Sequence, residues 1–162
     1  MAMKPLATFA PNEVSIILTT DLGTHVVSGF AEDSICTIDR ASDTFEMYIG
    51  ADDTPTRIYK ANTATMVTIT LQQTSNSNDI LSQLYERDRT SRNGLFSLFV
   101  GDNSGRTKIF AEEAYIGVVP NAQFGNSMQT RDWVIHAPSS IIHIGGNAKF
   151  TPEDQALFEA LG

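Results

Sequence analysis

Residues 62–90 read NTATMVTITLQQTSNSNDILSQLYERDRT, and the way this stretch divides decides the fold. Its first part, residues 65–72, alternates. Val67, Ile69 and Leu71 point one way while Met66, Thr68, Thr70 and Gln72 point the other, the period-2 pattern of a half-buried strand. The polar run Thr74-Ser75-Asn76-Ser77-Asn78 then favours a loop and supplies helix-capping side chains. A helix is expected over about residues 79–90, with Ile80, Leu81, Leu84 and Tyr85 as its apolar stripe. Asp79 suits its positive end, Arg87 and Arg89 suit its negative end, and Asn93-Gly94 stops it. A lone helix of this length is marginal in water, so its stripe is expected to pack on the sheet around the preceding strand.

The chain has 162 residues, of which 41% are apolar, with a formal net charge of −8. That length fits one domain spanning residues 1–162 and is enough for a proper core. The negative charge argues against non-specific nucleic-acid binding, which needs neutralising Lys and Arg. Residues 1–5 (MAMKP) lead into no apolar run of signal-peptide length, and no segment approaches a membrane span. The lone Cys36 excludes an internal disulfide and fits a reducing cytoplasm.

Before the central stretch, residues 14–20 and 25–30 flank Asp21-Leu22-Gly23-Thr24, a hairpin signal. Residues 34–40 set Ile35, Thr37 and Asp39 against Cys36 and Ile38; residues 44–50 set Phe45, Met47 and Ile49 against Glu46 and Tyr48. Both read as strands with one face buried. With the turn Ala51-Asp52-Asp53-Thr54-Pro55 between two such runs, residues 39–60 form a candidate protruding hairpin, an arm. After the helix, residues 95–100 (LFSLFV) are almost wholly apolar, as in a strand covered on both faces. Strands are expected at 106–111, 114–119, 129–137 and 139–144. A short helix is expected at about 152–161, opened by Thr151 as cap and Pro152, with Ala156, Leu157, Ala160 and Leu161 on one side. The architecture is mainly β: a sandwich or partly open barrel with one packed helix and one short terminal helix.

Chemistry-bearing residues form no convincing constellation. His25, His136 and His143 lie on separate strands without ligand spacing, although adjacent strands could bring His136 and His143 together. Glu112-Glu113 and Asp52-Asp53 are neighbours on extended or turning backbone, better read as solvated than as a catalytic pair facing one substrate. Residues 101–105 (GDNSG) lack the spaced ligands and distal Glu of a calcium loop and read as a turn. Cys36 reads as a small core hydrophobe and Trp133 as core. No nucleophile elbow, phosphate loop or zinc spacing is present, so neither an enzyme nor a cofactor is expected.

Ile49-Gly50-Ala51-Asp52, residues 60–71, Thr74-Ser75, Asn78, residues 81–84, Trp133-Val134-Ile135-His136-Ala137 and Gly145-Gly146-Asn147 occur in an order that resembles the tail tube proteins of contractile-tailed bacteriophages. The resemblance runs from about Asp43 to Asn147. It implies a virion structural protein, made in the host cytoplasm, that stacks homohexameric rings into a hollow tube. Strands of six subunits would complete one inner β-barrel, and the arm would reach the neighbouring ring through Met47, Ile49, Asp52, Asp53 and Arg57. It also implies sheath, tape measure, baseplate and tail terminator proteins as partners, with double-stranded DNA passing through the lumen unbound and no membrane involved. An acidic wall would repel that DNA; Asp39, Asp43 and Glu46 are candidates for it, with Asp33 near a ring boundary. Two alternatives stand beside this reading: a tube of a related contractile injection or secretion system, and a β-rich ligand-binding or fibre module. Few and unclustered Trp and Tyr weaken the second.

Overall fold

The computed structural model describes residues 6–162; residues 1–5, read above as leading into no signal segment, lie outside the described residues. A 3-10 turn at Pro11–Glu13 leads into β1 (Val14–Thr19), β2 (Thr24–Val26), β3 (Cys36–Arg40), β4 (Phe45–Ile49), β5 (Pro55–Tyr59) and β6 (Thr65–Gln72). Helix α1 (Ser77–Ser91) separates these from β7 (Phe96–Asp102), β8 (Lys108–Val118), β9 (Thr130–Ala137) and β10 (Ile141–His143); α2 (Pro152–Leu161) follows. Seven strands lie in the antiparallel order β2-β1-β7-β8-β9-β6-β3, and β10 pairs with β8 as the eighth strand of this sheet. β4 and β5 form a ribbon of their own. The sheet does not close on itself: β2 and β3 end the main path, and β10, paired with β8 alone, leaves a third open side.

Alternation sets which face is buried. Val67, Ile69 and Leu71 of β6 join Ile16, Leu18, Leu98, Trp133 and Ile135 from neighbouring strands in one core. Leu81 and Leu84 of α1 close over it. Burying each such side chain contributes roughly 1.5–3 kcal/mol, more than the helix's own propensity supplies.

Strand β8 corrects the expectation of two strands. Ile109 and Ala111 point inward, Glu112 and Glu113 are both exposed, and Ala114 and Ile116 point inward again. The extra residue is a β-bulge, marked by a register shift against β7 between Phe96 and Leu98. It resets the phase, so one strand reads in sequence as two. The first half of β8 pairs with β10 and the second half with β9, which makes β8 the strand common to both wings of the sheet.

Other expectations are adjusted as well. Helix α1 begins at Ser77, whose buried hydroxyl accepts from Ser28 N and bonds His25 Nε2, and it ends at Arg92, which takes the left-handed conformation (φ 59°) expected at Asn93-Gly94. Gly94 instead permits a close approach: a Cβ there would lie 2.3 Å from Asp88 Cβ. Ile80 is 40% exposed and Tyr85 half-buried, so the packed stripe is narrower than its spacing suggests. β7 is covered on one face only, with Ser97 and Phe99 half-buried opposite the core and Leu95 exposed ahead of the strand. Asp39 and Arg40 belong to β3 in the main sheet, leaving a shorter arm. β4, expected to bury one face, is exposed throughout, as is β5. The 139–144 strand is confined to Ile141–His143. Thr151 caps α2 by accepting from Asp154 N, yet no residue of α2 is buried.

Candidate assembly surfaces

The arm is a ribbon held by pairing and by its base. Phe45 faces Tyr59, Met47 faces Arg57 and Ile49 faces Pro55, placing all six on one face. Phe45 and Tyr59 rings lie 5.4 Å apart, and the Arg57 guanidinium sits 4.6 Å over Phe45. At the tip Gly50 N donates to Thr54 O at 2.9 Å, and Asp53 adopts the left-handed conformation (φ 64°). Hydrogen bonds from Thr54 hold the Asp52 carboxyl below its usual range. At the base Lys60 Nζ pairs with Glu46 at 2.7 Å, lowering the Glu46 pKa and raising that of Lys60. Met47 is 73% and Tyr59 66% exposed, so the chain itself does not cover this apolar face.

The second surface is the outer face of β3, β6, β9 and the end of β8. Asp39, Met66, His136 and Tyr115 lie in one register row across it. Thr37, Thr68, Thr70, Asp132 and Val134 share that face, and no Lys or Arg occupies an outward strand position there. Asp33, in the loop before β3, lines a cavity of about 610 Å³ with Thr70, Thr130 and Asp132. Asp43 lies in the connection to the arm and Glu46 on the arm itself. The four candidate acids are therefore spread over sheet, loop and arm, and the one outward acid that the residue pattern missed is Asp132.

A family model described as bacteriophage PhiTE tail tube protein matches residues 6–145. The chain belongs to this tail tube family. Structural protein ORF10 of Pseudomonas phage KPP10 is 45% identical over 160 residues, covering 96% of this chain and 92% of the relative. The cap of the anti-feeding prophage, a tube-terminating cap solved by cryo-EM, shares the fold alone: TM-score 0.57, 8% identity, 88% of this chain and 95% of that one. A phage structural protein of the virion tail, assembling with itself and other tail components, is what membership implies. Among the described residues no helix is long and apolar enough to cross a membrane.

The remaining candidates act as scaffolding in this tail tube family member. His136 stacks on Tyr115 (centroids 5.6 Å apart) and fills the space over Gly117, where a Cβ would lie 1.8 Å from its Cδ2. His143 pairs with Lys108 at the far end of β8 and meets Phe158 edge-on, so His136 and His143 are not brought together. Among the described residues no His, Cys, Asp and Glu group is placed to hold a metal. Asp102 accepts from Ser104 N and Oγ, which lowers its pKa, and the turn around it is tied to the chain's start by Asn147, whose amide reaches Asp102, Ser104 and Thr8 O. Burial pushes the half-buried Cys36 thiol up to about 11, keeping it protonated. Arg87 holds Asp21 in a two-pronged pair at 3.0 Å and lowers its pKa, pinning the β1–β2 turn to α1.

Proposed function

We propose that this chain forms homohexameric rings that stack into the tail tube, completing the open sheet between neighbours as one inner β-barrel through which DNA is ejected. The observation that carries this reading is surface. The chain exposes 11137 Å², whereas a compact monomer of 17.7 kDa exposes about 7,900 Å². The surplus of about 3,200 Å² is the size of an obligate interface, and the arm and α2 both stand clear of the core. Unpaired edges at β2 and β3 add main-chain groups that a neighbour can satisfy.

On this reading the outer face of β3, β6, β9 and β8 is the lumen wall, with Asp39 and Asp132 as its charges. Asp33, Asp43 and Glu46 lie toward the boundary between rings, and Met47, Ile49, Asp52, Asp53 and Arg57 belong to the arm that reaches the next ring. A wall lacking cations suits DNA transit, because each Lys or Arg contact adds affinity and repetition along a tube multiplies it. Sheath outside, tape measure within, and baseplate and terminator proteins at the ends are the corresponding partners, with synthesis in the host cytoplasm. The 45% identity to a phage structural protein supports the phage tail over an injection-system tube, and the burial of Trp133 removes the stacking platform a carbohydrate module would use.

Analytical ultracentrifugation and negative-stain microscopy of the purified protein test this. Rings or rods are expected, and a variant in which residues 46–57 are replaced by a short turn is expected to give rings that do not stack. A strict monomer at high concentration overturns the reading.

A further inference from the structure

The sheet carries an apolar row on the face away from its core. Strand registers place Val26 beside Ile17, Ile17 beside Phe99, Phe99 beside Phe110 and Phe110 beside Ile141, five strands in sequence. Their strand neighbours Ile16, Leu18, Val27, Leu98, Val100 and Ile109 fill the core, so the five point outward together. Ile17 and Phe99 are half-buried; Val26, Phe110 and Ile141 are 56%, 44% and 73% exposed. Phe99 lies flat over Gly101, where a Cβ would come 2.8 Å from its ring. Single exposed apolar residues need no explanation, but a contiguous band across five strands does.

We propose that this row receives the apolar face of the β4–β5 arm from a copy in the adjoining ring, an inference that rests on the assembly reading above. Three features choose the arm as occupant. The row spans four strand gaps, about 19 Å, and the first and last Cα of a five-residue arm strand lie about 14 Å apart, so a ribbon crossing at right angles covers most of it. Phe45, Met47, Ile49, Pro55 and Tyr59 give that ribbon one apolar face matching the row in chemistry. Arg57, on the same arm face, makes no ion pair among the described residues, while exposed Glu112 borders Phe110 on the row's margin and can supply one. α2 is the rival occupant, and its acids would suit Lys108 at the row's other margin, but its Phe158 is already held within the chain against His143 and Phe150.

The test mixes Met47→Cys protein with Phe99→Cys protein, assembles them and oxidises. Cys36 remains as an internal control, held as thiol by burial. A covalent dimer that is at least tenfold stronger in the mixture than in either variant alone is expected. In parallel, Phe110→Asp with Ile141→Asp, both at exposed positions and checked for fold by circular dichroism, should form rings but lose stacking. Normal tubes from that double variant, or no mixed dimer in tubes that do form, overturns the proposal, as does cross-linking of Phe99→Cys to Leu157→Cys in place of Met47→Cys. Failure of the unaltered protein to form rings overturns the assembly reading and this inference with it.

Discussion

The indole Nε1 of Trp133 donates to Asn78 Oδ1 across 2.9 Å, joining the interior strand β9 to the first turn of α1. The same Asn78 amide donates to Gln72 O at 2.9 Å and Ser75 O at 3.1 Å. One side chain thus fixes the end of β6, the loop and the helix against a core indole. Asn78→Ala strips a partner from a buried donor and two carbonyls, and is expected to cost about 1–3 kcal/mol. Urea unfolding followed by Trp133 fluorescence measures this; an unchanged midpoint would show that water replaces the amide freely.

Leu81 and Leu84 are buried while Ile80, one residue earlier, lines an open groove between the β1–β2 turn and α1. Leu81→Ala or Leu84→Ala is expected to cost about 2–5 kcal/mol. Ile80→Ala should cost less than about 1 kcal/mol. Thermal melts of the three variants decide it, and equal losses at all three would mean that Ile80 is covered in solution.

The bulge in β8 supplies a sharper contrast. Glu113→Ala keeps the residue count and should shift stability by no more than about 0.5 kcal/mol. Inserting one alanine between Ala114 and Tyr115 instead moves Ile116 onto the outer face and Tyr115 onto the core face, because no bulge there absorbs the extra residue. Circular dichroism should show a folded substitution variant and an insertion variant without a cooperative transition.

The base of the arm responds to pH through Glu46 and Lys60. Lys60 lowers the Glu46 pKa, so the carboxylate's contribution is present above its unfolded value and is lost as pH falls through the lowered folded value. Glu46 raises the Lys60 pKa, so the ammonium's contribution is present below its unfolded value and lost as pH rises through the raised one. Carboxyl NMR titration of Lys60→Ala should move the Glu46 midpoint upward. No movement would mean that the pair is not held in solution.

For the wall, Asp39→Lys with Asp132→Lys should preserve tubes yet slow genome ejection, more at low salt than at high salt because of screening. Rates unchanged at every ionic strength would place both carboxylates away from the DNA path.

What the sequence disclosed follows from the range of each signal. The alternations in β6 and β9 were legible because a strand's two faces are written in adjacent residues. β8 was not, since a bulge resets that code in mid-strand and Glu112-Glu113 looks like a gap between strands. Phe45, Met47 and Ile49 announce an apolar face but not which chain covers it, so burial within the chain was wrongly expected there. Spacing of three and four marked Ile80 with Leu81 and Leu84, although the sheet is reached by only part of that stripe. Asn147 stands in a segment that carries the family resemblance, but its clasp was not readable: its partner Thr8 O lies 139 residues away, and polar clasps leave no periodicity.

The order of strands in the sheet also sets a timetable at the ribosome. β1 pairs with β2 on one side, but its other partner is β7, Ile17 meeting Phe99 some 80 residues later. At 5–20 residues per second, that partner arrives roughly 4–16 seconds afterwards. β6 waits a comparable time for β9, where Thr65 meets Ala137. During synthesis the nascent chain therefore holds β1 and β6 half-satisfied, and the sheet becomes continuous only once β9 has left the exit tunnel.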